Sequence, residues 1–484
     1  MSFSKQWPSL LVGFLTLLAL GACQQTRPKA KNTLPALPQE GQIQVYFNRS
    51  QATYYTEPYR PIERYGDNLE QTLIDNIATA RTSIDVAIHE LRLPGVAQAL
   101  AERQRAGVPI RVVLENSYSR PWSGYTSAQI AGLEKRGQNS YREAQAMADL
   151  NHDGQVSASE WEQRDALNIL RQAGVRWIDD TEDGSAGSSL MHHKFLVIDQ
   201  RVVIVASANF TPSDVHGDQL QPESRGNANH LLRLESPELA AIYSQEFALI
   251  WGDGPGGQQD SRFGLKKPYR PAQAVQVGGV KVEVQFSPTS GTRPWQESVN
   301  GLIGRALQSA QRSAHLALFV FSDQNLANVL EVDHRQRGVA IEAVIDPGFA
   351  YRSYSEALDL WGLSLPQDCR LEAGNQPWQT SVQTVGVPVL SPGDLLHHKF
   401  GVVDAQTVIT GSQNWSEAAN QSNDENLLVI HSPIIAAHFE REFSRLYDSA
   451  VLGPTKRLRQ QIQKQQSRCA SVQQLKVSKP DEPS

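Results

Sequence analysis

The apolar positions of this chain fall into short runs separated by helix-period segments. Phe195-Leu196-Val197-Ile198 and Phe400-Gly401-Val402-Val403 are continuous apolar runs of the length expected for buried strands. After a short turn (Gln200-Arg201 in one, Ala405-Gln406 in the other) each is followed by a second run, Val202–Val205 and Thr407–Thr410. The flanks repeat as well. Ala80–Ala87 parallels Ala310–Ala317, each the end of a helix running into a strand. Arg105-Ala106-Gly107-Val108 parallels Gln336-Arg337-Gly338-Val339, where a glycine closes a helix before a strand, and Gly174-Val175 parallels Gly386-Val387. Helix and strand alternate, so the pattern predicts an α/β protein of two related units, each a mixed sheet flanked by helices. The first unit spans 43–251 and the second 278–452. A Gly-, Gln- and Pro-rich stretch, 252–277, reads as a linker, and 453–484 reads as a polar tail, frayed helix or disordered.

Chemistry enters through one tetrapeptide. His-His-Lys-Phe occurs at His192–Phe195 and again at His397–Phe400, each time opening H-x-K-x-x-x-x-D: His192, Lys194, Asp199 and His397, Lys399, Asp404. A Ser-x-Asn element follows each, Ser207/Asn209 and Ser412/Asn414. On a strand, side chains two apart share a face, so each imidazole stands with its ammonium and each hydroxyl with its amide. A lone histidine on an apolar strand is normally a core residue, and a buried lysine is rare unless paired. Two His/Lys pairs at strand spacing instead describe two half-sites that meet around a phosphate, one imidazole attacking and the other handling a proton.

The duplicated motif, with Gly411-Ser412-Gln413-Asn414 downstream, resembles the signature of the phospholipase D superfamily. The first copy departs from it once, reading Ala206-Ser207-Ala208-Asn209. The resemblance implies two fused repeats related by a pseudo-twofold axis, sharing one active site, in a phosphoric diester hydrolase that works without a metal. It implies a phosphohistidine intermediate, with His192 as nucleophile and His397 as acid. Lys194, Lys399, Asn209 and Asn414 would hold the non-bridging oxygens, Ser207 and Ser412 would support them, and Asp199 and Asp404 would be structural. The superfamily places a carboxylate after each motif to orient an imidazole. Glu425 fills that place in the second half, but Asn229 stands there in the first, so either the halves have specialised or Glu223 substitutes. Phospholipid head groups are the expected substrate. An exported nuclease using the same site and a calcium-dependent, non-catalytic binding module are the alternatives.

Composition changes this picture little. Apolar residues make up 40% and charged residues 20%, ordinary values for a globular protein. The net charge of −6 counts against a non-specific nucleic-acid binder, without excluding a local basic cleft. The N-terminus adds a location. Leu10–Leu20 is apolar but too short for a membrane span, and Leu20-Gly21-Ala22-Cys23 looks like a bacterial lipobox. Residues 1–22 are then a signal peptide, Cys23 the lipidated residue and 23–42 a flexible tether. Gln24, rather than aspartate, favours the outer membrane. The expectation is a monomeric envelope protein held to the membrane by its lipid. Cys369 and Cys469 remain as an even pair, expected to form a disulfide.

The first unit is longer than the second between its matched glycines, and the extra length contains an unusual segment. Asp149-Leu150-Asn151-His152-Asp153-Gly154-Gln155-Val156-Ser157-Ala158-Ser159-Glu160 resembles an EF-hand calcium loop. Asp149, Asn151, Asp153 and Glu160 would offer side-chain oxygens and Gln155 its carbonyl, with Gly154 at the sharp turn. Calcium here would brace the insertion rather than take part in the chemistry.

Overall fold

The computed structural model describes residues 1–2, 33–184, 189–470 and 476–477; Cys23 and the apolar stretch before it lie outside them. Two large mixed sheets organise the chain. The seven-stranded sheet runs in the order Ile43–Phe47, His230–Glu235, Val202–Ala206, Lys194–Ile198, Ile84–Ile88, Ile110–Leu114, Arg176–Asp179. The nine-stranded sheet runs Gln273–Val277, Val280–Phe286, Asn426–His431, Thr407–Gly411, Lys399–Val403, Ser313–Leu318, Ala340–Ile345, Val385–Val387, Val451–Leu452. Without the two outermost strands of the second sheet, the orders match strand for strand. Their handedness of pairing matches too: Ile84–Ile88 is parallel to Ile110–Leu114 and antiparallel to Lys194–Ile198, as Ser313–Leu318 is to Ala340–Ile345 and Lys399–Val403.

Strand alternation sorts the core into layers. Phe195 and Val197 of one sheet and Phe400 and Val402 of the other face a shared central core that also takes helices Pro237–Trp251 and Pro433–Tyr447. Leu196 and Ile198 face outward, under helices Leu69–Ala78, Pro94–Arg105 and Ala166–Gln172. Leu316 and Val403 do the same in the second half, under Val299–Gln308 and Gln324–Arg337. Strands covered on both faces read as unbroken apolar runs, which is why they stood out in the sequence.

Three segments are more tightly built in than their composition suggests. The span 252–277 contains the strand Gln273–Val277, and its Lys267 is fully buried between Glu246 and Asp424. Part of the 23–42 stretch also packs: Gln39 exchanges two hydrogen bonds with the Val45 backbone, and the carbonyls of Pro35 and Pro38 accept from Arg441 and His438 on the long helix. Beyond 453, Lys456–Ala470 is a helix that buries Leu458 and Ile462 and is closed onto the second half by a Cys369–Cys469 disulfide. In all three, a few apolar or charged side chains with buried partners outweigh a polar average.

The motif aspartates sit in the hairpin turns. Asp199-Gln200 and Asp404-Ala405 have positive φ, so the turns begin one residue earlier than the sequence suggested, and each is closed by a hydrogen bond from Arg201 or Gln406 N–H to the Ile198 or Val403 carbonyl. The Asp199 carboxylate accepts from the backbone N–H groups of Arg81, Thr82 and Ser83. Asp404 does the same with Gln311, Arg312 and Ser313. Each aspartate thereby fixes the strand that precedes the site.

Candidate active site

The two halves meet through the backbone just ahead of each motif. His192 N–H donates to the Asp424 carbonyl (3.0 Å) and Asp424 N–H to the Leu190 carbonyl (2.9 Å). In the mirror arrangement His397 N–H donates to the Ala228 carbonyl (3.1 Å) and Ala228 N–H to the Leu395 carbonyl (2.8 Å). These bonds cross the halves and bring each motif beside the other half's orienting position. His192 Nδ1 meets Glu425 Oε2 at 2.7 Å, and His397 Nδ1 meets Asn229 Oδ1 at 3.0 Å. That crossing is invisible in one dimension, because nothing in the sequence says which imidazole a residue after the second motif serves.

Lys194 and Lys399 are fully buried. Each ammonium donates to the carbonyl of the histidine two residues before it, at 3.1 and 2.6 Å, and among the described residues neither forms an ion pair. Burial lowers Lys194 to about 8 against the pull of Glu425 and Asp214, and burial together with Lys194 holds Lys399 well below the usual lysine range. Both imidazoles are held well below the ordinary histidine range, by burial first and the lysines' charge next. Glu425 is raised to about 7 by burial, opposed by Lys194. Two buried cations without contacting anions are costly, and an anionic ligand between them relieves that cost.

Ser207 Oγ donates to Asn229 Oδ1 (2.8 Å), while Ser412 Oγ accepts the N–H of Asn426 (3.0 Å), next to Glu425. Both hydroxyls therefore brace the groups that orient the histidines. Asn209 and Asn414 each keep a buried amide oxygen without a partner among the described residues. His193 and His398, on the opposite strand face, serve the core instead, bonded to Glu246 (3.2 Å) and Glu442 (2.8 Å) on the central helices.

Several residues at the site were not legible as such. His89 packs edge-on against His192 with ring centroids 4.9 Å apart, and Phe319 holds the equivalent place against His397 at 4.8 Å. Phe319 also meets Phe349 edge-on, and the Lys399 ammonium lies 5.0 Å from its ring centroid. Asp214, buried on the short helix Pro212–Val215, brings Oδ1 within 3.8 Å of His397 Nδ1. Glu223, considered as the missing carboxylate, is exposed; the carboxylate found beside the His397 ring is that of Asp214, at 3.8 Å.

The loop 149–160 joins helices Lys135–Ala148 and Ala158–Arg164, with His152 and Gly154 at positive φ. Its oxygens are engaged with the loop's own backbone. Asp149 accepts from Gly154 N–H (2.9 Å), Asn151 from Asp153 N–H (2.9 Å), and Glu160 from Leu150 (2.9 Å) and Ser157 (2.8 Å). Among the described residues no three His, Cys, Asp or Glu side chains are gathered closely enough to hold a metal. The turns fit a calcium loop; the carboxylates are not drawn together.

Two imidazoles and two buried ammonium groups, brought together across the halves of a layered mixed α/β fold, are the groups a phosphodiesterase needs. The family described as cardiolipin synthase, PLD-like domain, matches residues 73–251 and 303–447. That is more than half of the chain, and the protein belongs to this family. It is similar to the mitochondrial cardiolipin hydrolase of Xenopus laevis, 31% identical over 186 residues, covering 38% of this chain and 79% of that protein. The Mus musculus cardiolipin hydrolase is 32% identical over 165 residues, 34% of this chain and 63% of that protein. A phospholipase D from Rickettsia typhi is 25% identical over 171 residues, 35% of this chain and 70% of that protein. Among solved structures, the phosphatidylserine synthase of Haemophilus influenzae Rd KW20 shares the fold over 92% of this chain and 98% of its own, with a TM-score of 0.52 at 12% identity.

Proposed function

We propose that this protein is two fused phospholipase D-like repeats that hydrolyse the head-group phosphodiester bond of a phospholipid through a phosphohistidine. The observation that carries this reading is the pair of fully buried lysines with no contacting carboxylate, set with two imidazoles, one bonded to Glu425 and the other to Asn229. A phosphate diester supplies the missing negative charge, and its two ester oxygens give one histidine a bond to break and the other a proton to deliver. The lysines and the Asn209 and Asn414 amides hold the non-bridging oxygens.

The partners divide the labour. A general acid must carry a proton, and a carboxylate in contact favours that form; a nucleophile must be neutral. Glu425 therefore makes His192 the proton carrier, and His397, held by an amide, makes the attack, the reverse of what the resemblance implies. Attack by Nε2 is available because Nδ1 is the ring nitrogen bonded to the amide oxygen.

Lipid rather than nucleic acid is supported by the rim. Phe319 and Phe349 form an apolar wall on one side. On the other, Tyr118 packs against His89 at 5.0 Å, and the carboxylates Glu115 and Asp180 accept from the backbone of Ser117 and Asn116 beside it. Burial raises these two carboxyls, Glu115 to about 7 and Asp180 to about 6, so they carry only part of their charge at neutral pH and the reading rests on the apolar wall. Purified wild-type and His397→Ala protein, assayed on phosphatidylcholine and phosphatidylglycerol vesicles and on single- and double-stranded DNA, tests the reading. Histidine-dependent release of head group supports it. Turnover of DNA alone replaces it with an exported nuclease, and no turnover of any diester leaves a binding module.

Two further proposals concern the periphery. The loop 149–160 takes calcium through Asp149, Asn151, Asp153, the Gln155 carbonyl and Glu160, a reading supported by the donor set and the two left-handed turn positions. Calorimetric titration of wild type against Glu160→Gln tests it, and an absence of heat in wild type removes it. The N-terminal segment anchors the protein to the bacterial envelope through a lipid on Cys23, a reading supported by the Leu20–Cys23 sequence. Cys23→Ser should then be released from washed outer membranes; a variant that stays bound rejects the anchor.

A further inference from the structure

His192 has a carboxylate in contact, whereas His397 touches only an amide. The missing charge has moved rather than vanished. In the second half Ser416 caps a short helix whose third residue is Ala419. In the first half Thr211 caps Pro212–Val215, and Asp214 is the third residue. At this third position the half with Asn in the orienting place has an acid and the half with Glu425 has alanine.

Asn229 bridges Asp214 and His397. Its Oδ1 accepts from His397 Nδ1 and from the Ser207 hydroxyl (2.8 Å). Its Nδ2 donates to the Asp214 carbonyl (3.1 Å) and lies 3.4 Å from both Asp214 Oδ1 and the Asn227 carbonyl. Those partners only accept, so the amide has one workable orientation, and His397 must carry its proton on Nδ1. Asp214 is 3% exposed, and among the described residues no lysine or arginine forms an ion pair with it. Its carboxylate takes the Asn209 N–H (2.8 Å) and the Asn227 amide, which leaves His397 as the cation it can contact most closely.

We propose that Asp214 is a positioning residue for His397. Through Asn229 it fixes the Nδ1–H tautomer, and at 3.8 Å it offsets the positive charge that grows on the ring when Nε2 bonds to phosphorus. This rests on the phosphodiesterase reading above. In that step the Nε2–P bond forms as the P–O bond to the leaving alcohol breaks. The bonding pair departs with the oxygen, which takes the proton held by His192. The His397 ring, still bearing Nδ1–H, is left cationic until water, giving a proton back to His192, releases the phosphate.

Four proteins test this: wild type, Asp214→Asn, Asn229→Asp and Asp214→Asn/Asn229→Asp, with thermal melts to confirm folding. Asp214→Asn is expected to lower kcat roughly ten- to hundredfold at unchanged KM, the usual scale for losing one charge-stabilising group. Asn229→Asp crowds two carboxylates together and is also slow. The double variant moves the charge into direct contact with Nδ1, as Glu425 is with His192, and regains most of the activity. A merely structural role for Asp214 makes the double variant as slow as the slower single one. That result, or an Asp214→Asn enzyme within about twofold of wild type, overturns the inference. Failure of the parent reading looks different, since wild type itself then shows no His397-dependent turnover.

Discussion

Replacing Glu425 by Gln removes one charge from the buried pair with His192 and leaves an oxygen that still accepts the Nδ1 proton. The tautomer survives, so the loss is the difference between a charge-assisted and a neutral hydrogen bond across 2.7 Å in a dry site. Bonds to charged groups contribute about 1.5–3 kcal/mol against about 1 kcal/mol for neutral ones. Once that difference, about 0.5–2 kcal/mol, is expressed in a transition state where His192 is protonated, turnover should fall about two- to thirtyfold at about 1.4 kcal/mol per factor of ten. Asn229→Ala removes a neutral bond and should cost less than about tenfold. The assay is steady-state turnover of a lipid diester, paired with the burst of p-nitrophenol from an activated diester. A good leaving group needs no acid, so Glu425→Gln should keep the burst while the steady state slows, because water must still be deprotonated. Equal losses in the two variants, or a lost burst in Glu425→Gln, would refute the division of labour between the histidines.

Three more outcomes follow from the same structure. The pH profile of kcat/KM should rise through about 7 as Glu425 ionises and fall above about 8 as Lys194 loses its proton; Glu425→Gln should abolish only the rising limb. Asp404→Ala strips three backbone N–H groups of their acceptor and should lower stability by about 1–2 kcal/mol, as losing a helix cap does. Against some burial, those N–H groups hold the Asp404 carboxyl below the usual range, so its contribution is present at neutral pH and disappears as acid protonates it; denaturant titrations at two pH values check both points. Removing the Cys369–Cys469 bond, which closes a separation of 100 residues, should cost about 4.7 kcal/mol in the chain-entropy picture, and a melt of Cys369→Ser/Cys469→Ser unchanged from wild type would exclude it.

The sequence carried the strands and motifs because their physics is local. A strand buried on both faces writes itself as an apolar run, and a His and Lys two apart must share a face. What it could not carry depends on which distant atoms meet. The pairing of Glu425 with His192 rests on backbone bonds from Asp424 to the segment before the first motif. Asp214 looked like one acid in a polar loop until its helix set it 3.8 Å from His397. Burial of Lys267 beside Glu246 was hidden by Gly- and Pro-rich neighbours. One signal was available, however: a missing carboxylate at Asn229 predicts a compensating one nearby, but sequence reasoning turned to Glu223 and did not single out Asp214.

The crossed contacts give the two-halved chain a consequence beyond placing four groups in one pocket. Each half supplies a histidine and the group that orients the other half's histidine, so neither half alone is a complete site. If two identical halves met about a true twofold axis, both imidazoles would have the same partner and the same proton affinity. Only halves that differ in sequence can set Glu425 against one ring and Asn229 with Asp214 against the other. The chemistry profits from that difference, because the first step needs one imidazole bare and the other protonated at the same moment. A symmetric site must reach that state by chance of protonation, whereas in the proposed mechanism Glu425 on one ring and Asn229 on the other bias it. The same reasoning explains why the lysines, serines and asparagines could stay alike in both halves: in the proposed function they bind a phosphate whose two non-bridging oxygens are equivalent, and nothing in that task rewards a difference.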